Sequence, residues 1–296
     1  MRAFRAPTVL VEIDSDVPMA AGLGSSAAAS IAGLRIFERV TAPLPESTLL
    51  AVATSLEGHA DNAAAALLGG MTSVVESPPS PEGFGRAGEP VRALRWEWPN
   101  DLRLIVATPF TGLATSKARA ALSPTISRKD AVFNLQRVLS LVHALQNGEY
   151  DRLREALQDR WHQPARAALV PHLGAALAID DPDVLGAFLS GAGPSVAVVA
   201  RRDFARVERL LQATCEAAGS PVTVRTLGAH RESVRRGCCG IGDGEKRMKF
   251  VSGLTCHLCG ATYPAQALWV CSECLGPLEV TYDYAAIRKV ISRQAD

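Results

Sequence analysis

The sequence predicts an α+β body followed by a small cysteine-rich module. Amphipathic helical patterns such as residues 131–145 stand among continuous apolar strands such as residues 102–109, and no segment repeats. Two C-x-x-C pairs near the C-terminus predict the module. Because residues 235–248 are rich in glycine and lack periodicity, we predict a linker there and the module at residues 249–296.

The N-terminal part of the body combines one strand with helices that are bounded by glycines. TVLVEI, residues 8–13, predicts the strand, and PMAAGLGSSAAAS, residues 18–30, is a glycine-rich loop that leads into a helix. SPPSPEGFGRAGEP, residues 77–90, has the composition of a loop. Apolar residues at helical spacing predict three helices, at Ser26–Val40, Glu46–Glu57 and Asp61–Leu68.

The C-terminal part of the body combines strands with two long helical patterns. Residues 131–145 and 150–161 are amphipathic, and both are predicted to be core helices. FLSGAGPSVAVVA, residues 188–200, predicts two short strands around a glycine turn. The remaining predicted elements are a buried strand at residues 102–109, a helix capped by Asp203 and a strand at residues 222–227.

Composition and charge exclude several classes of function. The chain has 296 residues, 48% of them hydrophobic, which is enough for a substantial core. With 31 Lys plus Arg against 30 Asp plus Glu, the net charge of +1 offers no basic field for nucleic acid or an anionic membrane. The sequence shows neither an apolar leader nor a membrane-length apolar run. We therefore expect a cytoplasmic protein without nucleic-acid or membrane partners.

The glycine-rich loop, taken by itself, has two physical interpretations of about equal weight. A glycine turn that enters a helix exposes backbone N–H groups, and the helix dipole adds partial positive charge, which favours phosphate binding. Ser25 and Ser26 add hydroxyls for phosphate oxygens or a metal ion. The other interpretation is close packing of a helix start, for which glycine and alanine leave room.

The longer motif resembles a known family. P-x-x-x-G-L-G-S-S-A-A resembles the second signature of the GHMP small-molecule kinases, which wraps the phosphates of ATP, and LSGAGPSV, residues 189–196, resembles their third signature. The resemblance implies an incomplete ribosomal S5-like domain at residues 1–100 and a ferredoxin-like domain at residues 101–234. The residues implied to bind ATP are Pro18, Gly22, Leu23, Gly24, Ser25, Ser26, Ala27, Gly191 and Gly193.

Within that family, four further strings resemble homoserine kinases. They are LEGHADNAAAALLGG at 56–70, LATSKARAALS at 113–123, DAVFNLQR at 130–137 and WHQPARAALVP at 161–171. The resemblance implies Mg²⁺-ATP-dependent phosphorylation of the side-chain hydroxyl of L-homoserine, a step towards threonine.

The same resemblance implies roles for particular residues. Glu57 and Ser26 would hold Mg²⁺, which prefers oxygen ligands, and with Arg119 they are the expected catalytic residues. An anion at a helix C-terminus, as Glu57 is predicted to be, is unfavourable unless a cation lies nearby. The substrate carries a carboxylate, which guanidinium groups bind well. The residues implied to bind L-homoserine are His59, Asp61, Thr115, Arg119 and Arg166.

One signature of homoserine kinases has no counterpart in the sequence. P-A-T-x-A-N-L-G-P-G-F-D, which supplies acceptor-binding Asn and Asp residues near the start of family members, is missing, and only Met1–Val17 precede Pro18. We therefore expect an incomplete N-terminal sheet with unpaired edges. The expected consequences are a destabilised N-terminal half and little or no kinase activity. The sequence neither supports nor excludes a homodimer in which a second copy of the chain covers this unpaired edge.

Two C-x-x-C pairs, Cys256 with Cys259 and Cys271 with Cys274, are separated by eleven residues. This spacing predicts a tetrahedral Zn²⁺ site in a zinc-ribbon-like module. From Lys249 on, the sequence resembles the start of threonine synthase over about fifty residues, without the part that carries its pyridoxal-phosphate lysine. The hypothesis that follows is a reading frame that joins a kinase to the first module of its downstream neighbour.

Two alternatives to a homoserine kinase remain open. Another GHMP kinase, acting on mevalonate or a sugar, would need a different acceptor site from Arg119 and Arg166. A non-enzymatic alternative is an inactive fusion fragment that acts only as a zinc-binding module. It ranks last, because GATYPAQALWV between the cysteine pairs has no basic residue with which to bind nucleic acid.

Overall fold

The computed structural model describes residues 11–76, 91–230, 251–256, 258–264, 271–274 and 278–283. The chain divides into two compact units, one of Asp14–Cys238 and one of Met1–Ile13 with Cys239–Asp296. The predicted loop at residues 77–90 and the predicted linker at residues 235–248 lie outside the described residues. In the described ranges, no helix is long and apolar enough to cross a membrane.

Three helices and a hairpin form the first part of the larger unit. The elements are α1 (Ser25–Val40), α2 (Glu46–Glu57), α3 (Asp61–Leu68), β1 (Met71–Glu76) and β2 (Val91–Trp96). The three predicted helices are confirmed to within one residue. They pack around Ile31, Leu49 and Leu67, which have almost no exposed surface. The antiparallel pair β1–β2 extends this layer.

The strand predicted at residues 8–13 is wrong where it is described. Residues 8–10 lie outside the described residues, and the remaining three have no regular structure, with Val11 and Ile13 exposed. A strand depends on hydrogen bonds to a neighbouring strand, and no described strand pairs with this segment. The two-stranded sheet β1–β2 also leaves Leu94 exposed. Among the described residues of this N-terminal part, the sheet consists of β1 and β2 alone.

A four-stranded antiparallel sheet is the centre of the second part of the larger unit. Its elements are β3 (Arg103–Pro109), α4 (Thr115–Ala120), α5 (Arg128–Asn147), α6 (Leu153–Ala156), α7 (His162–Arg166), α8 (Leu173–Leu177), β4 (Val184–Leu189), β5 (Val196–Ala200), α9 (Phe204–Ala217) and β6 (Val222–Leu227). The strand order β4-β5-β3-β6, with helices after β3 and β5, is the ferredoxin-like arrangement that was expected. Ile105, Val198 and Leu211 are fully buried in its core.

The helix predicted at residues 150–161 is wrong in its extent. A 3-10 turn leads into α6, which ends at Ala156. The Asp159 carboxylate accepts hydrogen bonds from the N–H groups of Trp161 and Gln163 and so starts α7. Because a short acidic side chain can bond to nearby backbone in this way, it competes with helix continuation and separates two helices.

Helix α5 is longer than predicted and only partly buried. It spans Arg128–Asn147, and its C-terminal half buries Ala144 and Leu145. Earlier in the helix, Leu135 and Leu139 are 65% and 72% exposed. The prediction of a core helix is therefore wrong for the part of α5 up to Leu139. Periodicity identifies the apolar face of a helix but not whether anything covers that face.

The smaller unit contains a three-stranded antiparallel sheet. Its strands are β7 (Val251–Cys256), β8 (Thr262–Tyr263) and β9 (Leu278–Tyr282), in the order β8-β7-β9. The buried side chains among its described residues include Leu254, Cys256 and Cys271. So few apolar groups rarely stabilise a fold by themselves, which makes the cysteines the expected source of its stability.

Candidate active site and metal centre

The two glycine motifs of the larger unit lie against each other. At Gly22 the backbone φ is +76°, and a Cβ there would lie 2.2 Å from the Ser190 carbonyl oxygen. The Ser190 hydroxyl donates a hydrogen bond of 2.8 Å to the Gly22 carbonyl. The Ser195 N–H donates one of 3.3 Å to the Ala21 carbonyl. Glycine is needed for an approach this close, so segments distant in sequence form one loop cluster.

The start of α1 presents free backbone amides. Gly24, in a left-handed conformation with φ +72°, directly precedes the first helical residue, Ser25. Within the described ranges, no acceptor takes a hydrogen bond from the N–H groups of residues 22–26. Unpaired amides at a helix N-terminus, together with the helix dipole, favour an anion such as phosphate. The geometry therefore favours phosphate binding over the interpretation as a merely packed helix start.

Glu57 is the last residue of α2 and faces α1. Its Oε1 accepts hydrogen bonds from the hydroxyls of Ser26, at 3.0 Å, and Ser30, at 2.6 Å. Carboxylate and hydroxyl oxygens are hard ligands of the kind that Mg²⁺ prefers. The two residues predicted to hold Mg²⁺ are thus in direct contact beside the free amides. Sequence reasoning missed Ser30, which helical spacing would have indicated because it lies one turn after Ser26.

His59 lies in the turn between α2 and α3, and Asp61 is the first residue of α3. The His59 Nδ1 and the Asp61 Oδ1 are 2.9 Å apart, and that oxygen also accepts a hydrogen bond from the Asn62 N–H. The Asp61 side chain is 72% exposed. Its carboxylate therefore keeps lone pairs that can bind a cationic or hydroxyl group of a ligand.

Two guanidinium groups approach the same region from α4 and α7. Arg166 is 7% exposed, and it donates from Nε to the Ala118 carbonyl, at 3.2 Å, and from Nη1 to the Gly191 carbonyl, at 3.0 Å. Arg119 is exposed on α4. Burial lowers the pKa of Arg166, the Asp159 charge raises it, and the Arg119 charge lowers it. Two adjacent like charges favour a bound carboxylate.

A cleft of about 1350 Å³ in the larger unit connects these groups. Pro18, Leu23 and Gly193, which were predicted to contact the nucleotide, do not line it. The other predicted residues of this site all do: Gly22, Gly24, Ser25, Ser26, Ala27, Glu57, His59, Asp61, Thr115, Arg119, Arg166 and Gly191.

Several polar residues of the cleft had no predicted role. Four of them are Asn134, Arg137, Asp159 and Gln163. Three lie in the strings at residues 130–137 and 161–171, which carried a resemblance without roles, and Asp159 lies two residues before the second string. Their clustering depends on tertiary packing, so local spacing gave no signal for it.

The four cysteines of the smaller unit form a compact cluster. Their Sγ atoms all lie within 4.8 Å of one another. Cys256 and Cys274 have an Sγ–Sγ distance of 3.4 Å, and Cys259 and Cys271 one of 3.5 Å. Thiolates around a tetrahedral Zn²⁺, with Zn–S bonds of about 2.3 Å, lie about 3.8 Å apart. The Tyr263 hydroxyl lies 3.0 Å from the Cys271 Sγ and can orient that ligand. These residues fit a zinc ion.

Comparisons with known proteins identify the family. The model of the GHMP kinase N-terminal domain matches residues 1–70, and that of the C-terminal domain matches residues 141–218. A homoserine kinase of Nostoc punctiforme is 36% identical over 237 residues, which cover 77% of this chain and 73% of that relative. The chain belongs to the homoserine kinase family. The homoserine kinase of Solibacter usitatus is 39% identical over 211 residues, and the present chain spans 65% of the length of that relative.

Solved structures agree with the homoserine kinase family. The crystal structure of homoserine kinase from Cytophaga hutchinsonii matches with a TM-score of 0.63 and 26% identity, covering 74% of this chain and 69% of that one. Phosphomevalonate kinase of Streptococcus pneumoniae matches with a TM-score of 0.51 and 12% identity, which reflects the common GHMP fold alone. The comparisons therefore favour the homoserine kinase branch over the mevalonate branch.

Proposed function

We propose that this chain is a homoserine kinase, which transfers the γ-phosphoryl group of ATP to the side-chain hydroxyl of L-homoserine. The observation that carries the proposal is the meeting in one cleft of free amides at the start of α1, the Ser26–Glu57 pair, and the guanidinium groups of Arg119 and Arg166. Phosphoryl transfer requires phosphate donors, a metal ion and a positioned acceptor, and these groups can supply all three. The names of the relatives point to homoserine as the acceptor.

The phosphate end of the proposed site is the glycine-rich loop. The amides of residues 22–26 would donate hydrogen bonds to phosphate oxygens, and the turn at Gly191 would support the loop from behind. Glu57 and Ser26 would hold Mg²⁺, and Ser30 fixes the Glu57 carboxylate in place. When bound, the ion would neutralise charge on the phosphate oxygens during transfer.

The acceptor end of the proposed site binds an amino-acid zwitterion. Arg119 and Arg166 would bind the carboxylate of L-homoserine, because guanidinium groups form paired, charge-assisted hydrogen bonds with carboxylates. Asp61 would accept a hydrogen bond from the ammonium group, and the Thr115 hydroxyl at the start of α4 would add a polar contact. Fixing both charged ends of the substrate leaves its hydroxyl aimed at the phosphoryl group.

An assay of ADP release tests the proposal. The purified chain with Mg²⁺-ATP should release ADP with L-homoserine and not with mevalonate or galactose. Glu57→Gln should lower the rate about 100-fold by weakening the metal site. Glu97→Gln is the matched control, since this exposed residue lies outside the cleft. Calorimetry that detects no binding of L-homoserine to the folded protein would overturn the proposal.

We also propose that the cysteine cluster binds one structural Zn²⁺. The closeness of four Sγ atoms supports this, because four thiolates with no open position are typical of structural zinc sites. Metal analysis should find about one zinc per chain. Cys256→Ser should remove it, while Cys215→Ser, at a buried cysteine of the larger unit, should not. Full zinc content in the Cys256→Ser variant would contradict the assignment.

We propose that the larger unit contains two domains, at residues 1–100 and 101–234. The hairpin β1–β2 ends at Trp96, and the four-stranded sheet begins at Arg103. The core around Ile31 and the core around Ile105 are separate clusters of buried residues. A division near residue 100 therefore separates two cores of the same unit.

A further inference from the structure

We infer that Asp159 is a positioning residue of this kinase: it locks helix α7 to its neighbours and thereby fixes the Arg166 guanidinium and the glycine turn at the cleft. The inference rests on the proposed function for its meaning, since Arg166 is the expected ligand of the substrate carboxylate. It does not concern direct contact of Asp159 with the substrate.

Asp159 collects donors from two helices. Its Oδ1 accepts hydrogen bonds from the Asn134 side-chain amide on α5, at 2.6 Å, and from the Trp161 N–H, at 3.1 Å. Its Oδ2 accepts one from the Gln163 N–H in the first turn of α7. In return, the Asn134 Oδ1 accepts the Arg160 N–H at 3.0 Å. This single carboxylate therefore joins α5 to the start of α7.

Helix α7 also contacts the glycine turn of the cleft, through Gln163 and Arg166. The Gln163 Oε1 accepts a hydrogen bond of 2.9 Å from the Leu189 N–H, directly before the glycine turn. Arg166 holds the Gly191 carbonyl of that turn and the Ala118 carbonyl beside Arg119. A displacement of α7 would therefore move the Arg166 guanidinium and the glycine turn together, although no hydrogen bond joins Asp159 to either of them in the described part of the chain.

Burial and charge explain why the residue is an aspartate. The Asp159 side chain is only 16% exposed, and a buried carboxylate is tolerated when several donors bind it. Burial raises its pKa, but the contact with His162 and the hydrogen bonds from Gln163, Trp161 and Asn134 lower that pKa by more than burial raises it, so the group stays ionised. Its charge also raises the pKa of Arg166, which helps to keep that buried guanidinium protonated. An asparagine would keep the size but lose the charge and present N–H groups to donors.

Asp159→Asn tests the inference, and Asp203→Asn is the matched control. Asp203 also accepts a hydrogen bond from a backbone N–H at a helix start, but on α9, and it does not line the cleft. In Asp159→Asn, calorimetry should show at least a tenfold weaker affinity for L-homoserine and less than a threefold change for the Mg²⁺ complex of a non-hydrolysable ATP analogue. Native hydrogen exchange should be at least tenfold faster at the amides of Gln163 and Leu189. Asp203→Asn should change neither measurement.

Two outcomes would overturn the inference, and they differ from a failure of the proposed function. Unchanged exchange at Gln163 and Leu189 would mean that Asp159 does not lock α7. Equal weakening of both ligands would mean a general structural role. If Asp159→Asn does not fold, Asn134→Ala replaces it as the test, because this change removes one hydrogen-bond donor to Asp159. It should show the same changes in ligand affinity and hydrogen exchange at smaller amplitude. A variant without those changes counts against the inference. If the unmodified chain binds no L-homoserine, the proposed function fails while the exchange data still decide the positioning role.

Discussion

At Gly22, the backbone conformation and the space are both restricted. The residue has φ +76°, and a Cβ would lie 2.2 Å from the Ser190 carbonyl oxygen, which belongs to backbone that cannot rotate away. Gly22→Ala should therefore destabilise the protein by about 2–4 kcal/mol and weaken nucleotide binding, because the two glycine motifs must separate.

Gly33 provides the control for this substitution. It lies within α1, and a Cβ there has nothing within 4 Å. Gly33→Ala should stabilise the protein by about 0.5–1 kcal/mol, the usual difference between the two residues in a helix. Urea denaturation of both variants measures the effects. A Gly22→Ala variant as stable as the parent protein would contradict the close contact of the two motifs.

His172 predicts a pH dependence of stability. It is 1% exposed, its Nε2 lies 3.1 Å from the Pro194 carbonyl oxygen, and its Nδ1 has no partner within the described residues. Burial lowers the pKa of His172 below its ordinary value of 6.5, despite the Pro194 hydrogen bond, which raises it. Below pH 6.5 the unfolded state therefore binds more protons than the folded state.

Neutral His172 makes its full contribution to the free energy of unfolding above pH 6.5. That contribution is lost as the pH falls from 6.5 through the lower pKa of the folded state. The melting temperature of the parent protein should fall as the pH is lowered from 7.5 to 5.5. The melting temperature of His172→Gln should fall by less over the same range. His143→Gln, at an exposed histidine, should behave like the parent protein. An identical pH profile for His172→Gln would rule out His172 as the source.

The candidate site could be predicted from sequence where its residues lie within local motifs. Gly22, Gly24 and Ser26 lie within one continuous motif. Glu57 lies in a second motif, whose spacing is typical of the family. Asp159 could not be predicted in the same way, because its partner Asn134 is 25 positions away and their contact depends on how α5 packs. Local pattern gives residue identity, while the networks that hold those residues arise from tertiary structure.

At the level of elements, α5 separates helix formation from burial. Its exposed face includes Leu135, Val138 and Leu139, whereas Leu153 on the neighbouring α6 is fully buried. Leu139→Gln should change the free energy of unfolding by less than about 0.5 kcal/mol, as for other surface positions. Leu153→Ala should cost about 2–4 kcal/mol, because it opens a cavity in the core. Urea denaturation compares the two directly.

A large loss of stability in Leu139→Gln would contradict the exposure of this face. It would mean that the face is covered in solution, and sedimentation would then show whether a second copy of the chain covers it, as the possible homodimer allows. The exposed face also explains why sequence overpredicted the core here. Apolar spacing along α5 is regular from Leu135 to Leu145, yet the buried part begins only near Ala144.

At the level of the whole molecule, we expect the two units to have separate sources of stability. The three hydrophobic clusters of the described residues all lie within Asp14–Cys238. The described part of the smaller unit has a short sheet and four clustered thiols, so zinc binding is expected to supply much of its folding free energy. From the glycine-rich stretch and the cysteine spacing, sequence predicted a boundary at residues 235–248, because both signals are local in the chain. The division of the structure also assigns Met1–Ile13 to the smaller unit.

A chelator tests this separation in the full chain. Removal of zinc should abolish protection from hydrogen exchange at residues 251–256 and leave the amides of β3 and β5 protected, since the larger unit keeps its own core. The main thermal transition should shift by less than about 2 °C. Alkylation of Cys215 measures the stability of the larger unit independently. Burial raises the pKa of the Cys215 thiol to about 11, so this thiol should resist alkylation until the larger unit unfolds. Rapid alkylation of Cys215 on addition of the chelator would show instead that the larger unit depends on the metal for its stability.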